Sequence, residues 1–260
     1  MESVTPCVDI AFKKIFGVEE NKDLLISLIN SIVSKEDQVV DITLLNPYNP
    51  QNFKNDRLSI IDVQAVGAEK KIFNIELQIN NESDSDKRDL YCWAKLYIGQ
   101  LEEYKDYSLL SKTIGIHILN FTSTPESKKY HNVFHIVEKD NACNDFTDLE
   151  LHTVELKKFS DAVGTELSGV VNKIKTSLDM WAAFLTKYNL LDKDHLPENL
   201  ENVALKKALN VLEAMNFNHD EREKYEAHLK WLRVENDALK KSRQDGREKG
   251  LEEDMAMGKK

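Results

Sequence analysis

The chain has 260 residues, of which 41% are hydrophobic and 31% charged, so it is long and apolar enough to bury a sizeable core. Its formal net charge of -10 argues against a protein that holds nucleic acid on a broad basic face. No apolar run approaches the roughly 20 residues that cross a bilayer, and the N-terminal residues lack the basic-then-apolar order of a secretion signal.

The acidic charge is concentrated in the first part of the chain. Residues 1–157 contain 17 Lys and Arg against 26 Asp and Glu, a balance of -9, whereas residues 158–260 contain 18 against 19, a balance of -1. Any contact with nucleic acid is therefore expected to be weak and steeply dependent on salt. Cys7, Cys92 and Cys143 form no CxxC pair, which predicts reduced thiols in a cytoplasmic protein.

Two short helices are predicted first, over residues 9–16 and 23–33, because apolar residues recur there at helical spacing. A sheet follows. A helix over residues 85–110, with an apolar stripe that includes Leu90 and Trp93, separates two of its strands, so we expect that pair to be parallel. The predicted strands are residues 38–46, 58–66, 72–79, 113–121, 132–138 and 149–156.

The last third of the chain has a helical pattern from about Phe159 onward, over residues 166–187, 198–215 and 220–243. The organisation we predict is therefore an α/β domain at 1–157, a helical extension at 158–243 and a charged flexible tail at 244–260. Leucines at helical spacing after Leu229 indicate either a helix that caps the domain or one that forms a homodimer through the C-terminal helices.

The strand at residues 72–79 carries the most informative pattern. Phe73, Ile75 and Leu77 alternate with polar residues, so Glu76 and Gln78 share the opposite face. If residues 67–71 form a symmetric loop centred on Glu69, the hairpin register follows. The expected pairs are Asp62 with Glu76, Val63 with Ile75, and Gln64 with Asn74.

Asp62 lies inside the apolar run 60–63, where an unpaired charge is expensive. Two carboxylates facing each other across a hairpin repel, so Asp62 and Glu76 need a shared proton or a shared cation. Carboxylate oxygens suit Mg²⁺, which retains waters and takes substrate phosphate as a further ligand. An ion of this kind supports phosphodiester hydrolysis.

The same residues also have simpler interpretations. Glu76 and Gln78 suit the wet face of a half-exposed strand, Lys13 suits a solvated helix face, and Arg88 with Tyr91 suits an ordinary i,i+3 helix pair. Among the histidines, we expect His117 to be a satisfied core residue, and residues 131 and 135 to be surface histidines.

Several segments resemble one nuclease family. They are D-x-x-F-K-x-x-F-G at 9–17, I-D-V at 61–63, N-I-E-L-Q at 74–78, R-x-x-Y at 88–91, I-G-I-H-I-L-N-F at 114–121 and L-H-T-V-E-L-K-K-F at 151–159. The family is that of the Rpn-type recombination-promoting nucleases, often described as transposases, in the PD-(D/E)XK superfamily. The resemblance implies a restriction-endonuclease-like α/β fold, a mixed sheet flanked by helices with a helical C-terminal extension.

The resemblance also implies roles for single residues. Asp62 and Glu76 would be metal ligands for Mg²⁺ or Mn²⁺, with the Leu77 carbonyl as a further ligand. Gln78 would stand where the usual lysine orients water. Lys13, Arg88 and Tyr91 would contact DNA, and Asp9 would be an additional site residue.

The pattern departs from the family at three points. Ile61 replaces the proline of the motif name, the stretch 101–104 lacks an expected glycine, and the acidic Glu69 lies at the hairpin tip. The expected function is a Mg²⁺-dependent DNA endonuclease linked to recombination or a transposable element. The alternatives are a catalytically weak or inactive scaffold derived from a transposase, and a nuclease that acts on RNA.

Overall fold

The computed structural model describes residues 4–48, 62–67, 69–79, 84–101, 106–141, 143, 146–227, 229–230, 234 and 238, without the side chains of Asp62 and Ser85. The first four residues of the predicted strand 58–66, the predicted tail 244–260 and most of residues 231–243 therefore lie outside the described part.

Six strands form one mixed sheet in the order β1-β2-β3-β4-β6-β5. Both β1–β2 and β2–β3 are antiparallel, β3–β4 and β4–β6 are parallel, and β5–β6 is antiparallel. The sheet and its parallel crossover confirm the predicted α/β architecture. The strands are β1 (Ile42–Leu44), β2 (Asp62–Gly67), β3 (Ile72–Gln78), β4 (Thr113–Leu119), β5 (His131–Ile136) and β6 (Phe146–Glu155).

Helices precede the sheet, join β3 to β4 and follow β6. The α-helices for which bounds are described are α1 (Asp9–Phe16), α2 (Lys22–Ile32), α3 (Ser85–Ile98), α4 (Leu156–Val163), α5 (Leu167–Lys173), α6 (Ser177–Lys187) and α7 (Val203–Glu213). The predicted helix 166–187 is two helices, because the Thr176 side chain and Asp179 form a reciprocal capping box that begins α6.

The crossover helix α3 differs from its prediction in length and in rotation. It ends at Ile98, where the Gly99 N–H closes the last turn on the Lys95 carbonyl, and does not continue to residue 110. Leu90 was wrongly placed on the buried stripe, since it is 49% exposed. Instead, Trp93 faces the sheet and its indole N–H donates to the Thr113 carbonyl over 2.7 Å.

The two faces of the sheet differ in chemistry. On the face that we call the apolar face, alternate residues such as Phe73, Ile75 and Ile116 join the core with side chains of α1, α2 and α6. On the other, which we call the polar face, β3 and β4 present buried polar groups beneath α3. These are Asn74, Glu76, Gln78 and His117.

The described residues divide into two compact units, one up to Met215 and one from Asn216 onward. In the second unit, residues 219–227 are helical and Phe217 stacks on Tyr225 with ring centroids 4.8 Å apart. The domain boundaries expected from the sequence stay a prediction. None of the described helices is long and apolar enough to cross a membrane.

Candidate functional site

The hairpin that was expected to carry the site has the predicted register. Its turn is closed by the Gly67 N–H, which donates to the Lys71 carbonyl over 2.9 Å, and by the Lys70 N–H, which donates to the Gly67 carbonyl over 2.9 Å. Asp62 therefore stands opposite Glu76 in the ladder. That both carboxylates share one ion stays a prediction, since the Asp62 side chain lies outside the described residues.

Glu76 is a buried carboxylate with only part of its hydrogen-bonding capacity used. It is 1% exposed. The Arg88 guanidinium donates to Oε1 over 2.9 Å. Within the described part of the chain, Oε2 has no hydrogen-bond partner. A buried carboxylate oxygen left in this state is costly, so the geometry favours a cation or donor that this region receives from outside.

His117 of β4 lies beside Glu76 because the parallel register pairs these two positions. Its Nδ1 is 3.7 Å from Glu76 Oε2 and 3.3 Å from Asp89 Oδ1. Among the described residues, neither ring nitrogen makes a hydrogen bond, although the residue is 1% exposed. The expectation that His117 is a satisfied core residue was therefore wrong.

Asp89 reaches the same point from the first turns of α3. The Gln78 side-chain amide donates to its Oδ1. Burial raises the pKa of Asp89 and the negative charge of Glu76 raises it further, whereas His117 acts in the opposite direction. Burial is the larger cause, so the charged form of this carboxylate is disfavoured although His117 and Arg88 lie near it.

Ligand atoms of Glu76, Asp89 and His117 lie within 4.8 Å of one another. Two carboxylate oxygens and one imidazole nitrogen fit a divalent cation, and in the described residues Glu76 Oε2 and the His117 ring are buried without a hydrogen-bond partner. Carboxylates alone suit Mg²⁺ or Ca²⁺, whereas the added imidazole favours a transition metal such as Mn²⁺ or Zn²⁺. We call these three residues the acidic–histidine cluster.

Gly115 leaves the space that the His117 ring occupies. A Cβ at this position would lie 3.1 Å from His117 Nε2 and 2.7 Å from Leu151 Cδ2. A side chain here would therefore force Leu151 to move and would press on the imidazole, since alternate residues of a strand share a face.

The remaining predicted site residues are distributed as follows. Gln78 is buried beside the cluster and contacts Asp89, and Arg88 binds Glu76. Tyr91 lies exposed on α3, while the Leu77 side chain packs in the core on the apolar face. The roles assigned to these residues and to the Leu77 carbonyl stay predictions.

Lys13 and Asp9 are both half-buried on α1. No described contact joins Lys13 to the acidic–histidine cluster, so its role in binding DNA also stays a prediction, as does that of Asp9.

The sequence analysis did not predict Asp89 and His117 as site residues, although features of the sequence around each of them could have indicated it. His117 interrupts an apolar strand just as Asp62 does, and the same argument about the cost of a buried polar group applies to it. Asp89 precedes Trp93 by four residues and Tyr97 by eight, so it shares the helix face that contacts the sheet. The Tyr97 hydroxyl bonds to Asp148 over 2.8 Å.

The surface placement of the two β5 histidines was wrong for His131. Its Nε2 lies 3.0 Å from His152 Nδ1, and the two rings stack. The His135 side chain is 35% exposed, as expected.

No curated protein and no solved structure gives a significant match to the chain. A family model described as PD-(D/E)XK nuclease family transposase matches residues 6–242. The match spans the sheet, the crossover helix and the helices that follow, and it confirms the family and the fold class expected from the motifs. The chain therefore belongs to the PD-(D/E)XK nuclease family transposases.

Proposed function

We propose that the protein is a DNA endonuclease that hydrolyses phosphodiester bonds with Mg²⁺ or Mn²⁺, linked to recombination or to a transposable element. The observation that carries the proposal is the buried Glu76 Oε2, which lacks a donor among the described residues and lies next to Asp89 and the unbonded ring of His117. In a chain of this family, such an arrangement fits a catalytic ion better than a structural contact.

Glu76, Asp89 and His117 would hold the ion, with Asp62 as a further ligand from the strand position opposite Glu76. When bound, the ion would neutralise phosphate charge and make a water more acidic. Glu76 can keep its Oε1 on Arg88 while Oε2 serves the ion, so Arg88 fixes the orientation of the carboxylate.

Gln78 is suited to orient a water rather than to supply charge. Its side-chain nitrogen is committed to Asp89, whereas its buried Oε1 has no hydrogen-bond partner in the described part of the molecule. That oxygen can accept a hydrogen bond from the attacking water. Because an amide is neutral, it gives none of the phosphate stabilisation that a lysine gives, so we expect slow turnover.

Arg88, whose side chain is 29% exposed, brings positive charge to the cluster through its pair with Glu76. It lies in the first turns of α3, where the helix dipole also favours an anion. One turn further, the exposed Tyr91 can stack on a base or sugar. With a net charge of -10, the protein should bind DNA weakly, and its affinity should fall steeply with salt.

Nicking of supercoiled plasmid tests the proposal. Wild-type protein should cut with Mg²⁺ or Mn²⁺ and not with EDTA, and Asp62→Ala, Glu76→Gln and His117→Asn should each lose most of the activity. His135→Asn is the matched control, since it removes a histidine from β5 and should leave cleavage unchanged.

Cleavage that persists unchanged in Asp62→Ala and Glu76→Gln contradicts the assignment. If the folded wild type cuts no DNA with either ion, the result supports the inactive transposase-derived scaffold. A single-stranded RNA substrate in parallel identifies an RNA-directed nuclease, which would cut it in preference to the plasmid.

A further inference from the structure

The strand β5 forms one edge of the sheet and is exposed on both of its faces. In the described residues it pairs with β6 alone. Four apolar side chains on it or just after it, and one at the start of β6, are between 42% and 66% exposed. They are Val133, Phe134, Ile136, Val137 and Phe146.

Edge strands in monomers are usually protected by lysine, by proline or by being very short. Residues 131–137 contain none of these protections, since they include no lysine, arginine, carboxylate or proline over seven positions. A bulge between His135 and Ile136 is the one irregularity in the pairing with β6. In the part of the chain that the structure describes, the strand therefore presents apolar side chains and an unpaired backbone edge to solvent.

The charges at the two ends of this strand have opposite signs, so they would be complementary between two antiparallel copies of the strand. Exposed Lys128 and Lys129 precede it, and exposed Glu138 and Asp140, with Lys139 between them, follow it. When two copies of such a strand lie antiparallel, the basic end of each lies beside the acidic end of the other. Like charges would meet if the two strands were parallel.

We propose that β5 is a homodimer interface, in which β5 of one chain pairs antiparallel with β5 of a second copy around a two-fold axis near Val133 and Phe134. The two sheets become one continuous sheet, and the exposed apolar side chains of the two copies pack across the junction. The contact is isologous, so one patch serves both partners and the assembly closes as a dimer. Backbone hydrogen bonds supply affinity, as in other strand additions.

Sedimentation velocity of the full chain, from about 1 to about 100 µM, tests the proposal. We expect a reversible dimer that Phe134→Lys weakens at least about tenfold, because the substitution places a charge at the two-fold axis. Val203→Lys is the matched control, since Val203 is an exposed apolar residue on α7 and its replacement should leave the dimer unchanged. Plasmid nicking and far-ultraviolet circular dichroism verify that both variants fold.

Charge reversal gives a second test that a loss of folding cannot imitate. Lys129→Glu and Glu138→Lys should each weaken the dimer, because a two-fold axis between Val133 and Phe134 places Lys129 of one chain opposite Glu138 of the other. The double variant exchanges the two charges and should recover most of the affinity. A chain that stays monomeric at every concentration contradicts the proposal. So does a dimer that survives Phe134→Lys but is lost in Leu229→Lys, because that result assigns association to the C-terminal helices.

Discussion

Two groups of buried acids and histidines lie on opposite faces of the same sheet, and among the described residues only one of them has its polar atoms satisfied. On the apolar face, Glu150 accepts from His152 over 2.6 Å and from Lys112 over 2.7 Å. Lys112 also donates to Asp37 over 2.7 Å, and His131 continues the network to the strand edge. Each Glu150 oxygen has a donor.

In the acidic–histidine cluster on the polar face, the part of the chain that the structure describes leaves several polar atoms without a hydrogen-bond partner. Glu76 has one guanidinium donor, on Oε1, and the described residues give His117 no hydrogen bond at either nitrogen. The pKa shifts reflect the same difference. Although burial raises the pKa of Glu150, bonds from His152 and Lys112 lower it to about 2, whereas burial leaves the pKa of Asp89 raised. A buried charge that stabilises the fold is expected to be paired by other residues of the same chain. A buried charge that binds a ligand is expected to have unused hydrogen-bonding capacity when the ligand is absent.

The largest expected effect is on the nicking rate, which a substitution in the acidic–histidine cluster should lower and a substitution in the Glu150 network should not. Glu76→Gln should lower the rate of plasmid nicking by about a thousandfold, because it removes a charged ligand and weakens the bound ion. Without metal, the free energy of unfolding should fall by less than in Glu150→Gln, since Glu76 Oε2 is unused and the pair that is lost is with Arg88, whose side chain is 29% exposed. Nicking rates and urea unfolding in EDTA measure the two effects. A large loss of metal-free stability would place Glu76 with the structural acids.

Glu150→Gln should behave in the opposite way. It removes the anion that pairs with both His152 and Lys112, so the free energy of unfolding should fall by about 3 kcal/mol. The nicking rate of the folded protein should stay near that of wild type. Urea unfolding and nicking on the same preparation check this, and an unchanged unfolding midpoint would show that the network contributes nothing.

As the pH falls, the network of Glu150, His152, His131 and Lys112 should lose stability first through His131 and only at lower pH through Glu150. Burial, and after it the charge of His152, lowers the pKa of His131 from 6.5 to about 4. Between these values the unfolded chain takes up a proton that the folded chain does not, so stability falls by about 2 kcal/mol as pH drops from 6.5 to 4.

The contribution of Glu150 is fully present above pH 4.5 and is lost as pH falls toward 2. Urea unfolding across pH 7 to 4, compared with His131→Asn, measures the His131 part. An equally steep loss in the variant would assign the acid sensitivity to other groups.

The smallest expected effect concerns the choice of metal. His117→Asn should weaken Mn²⁺ binding about tenfold, or about 1.4 kcal/mol, and Mg²⁺ binding less, because imidazole contributes more to the softer ion. The shift of the melting temperature with each ion gives the comparison, and His135→Asn is the control. Equal losses for both ions would exclude His117 as a selective ligand.

The part of the site on β2 and β3 could be predicted from sequence because it depends on local patterns. Alternation along β3 places Glu76 and Gln78 on one face, and a short symmetric loop leaves one register that keeps the apolar residues together. The observed pairing of Asp62 with Glu76 follows from these two constraints.

The other half of the cluster depends on tertiary packing. His117 lies beside Glu76 because of the register between β3 and β4, which depends on how the crossover helix α3 packs on the sheet. The rotation of α3 places Asp89 inward and the apolar Leu90 outward. Helical periodicity predicted the opposite for Leu90. The prediction failed because the residues beneath the helix are polar, so Asp89 packs there more favourably than an apolar side chain.

Pulsed electron paramagnetic resonance of Mn²⁺ bound to the full chain shows whether Glu76 and His117 hold the ion. We expect one tightly held ion with a coupling to an imidazole nitrogen. The coupling should disappear in His117→Asn and persist in His135→Asn, and the ion should bind far more weakly in Glu76→Gln. Mn²⁺ that binds with unchanged affinity in Glu76→Gln, or that shows no nitrogen coupling in the wild type, would contradict the assignment of the acidic–histidine cluster as the metal site.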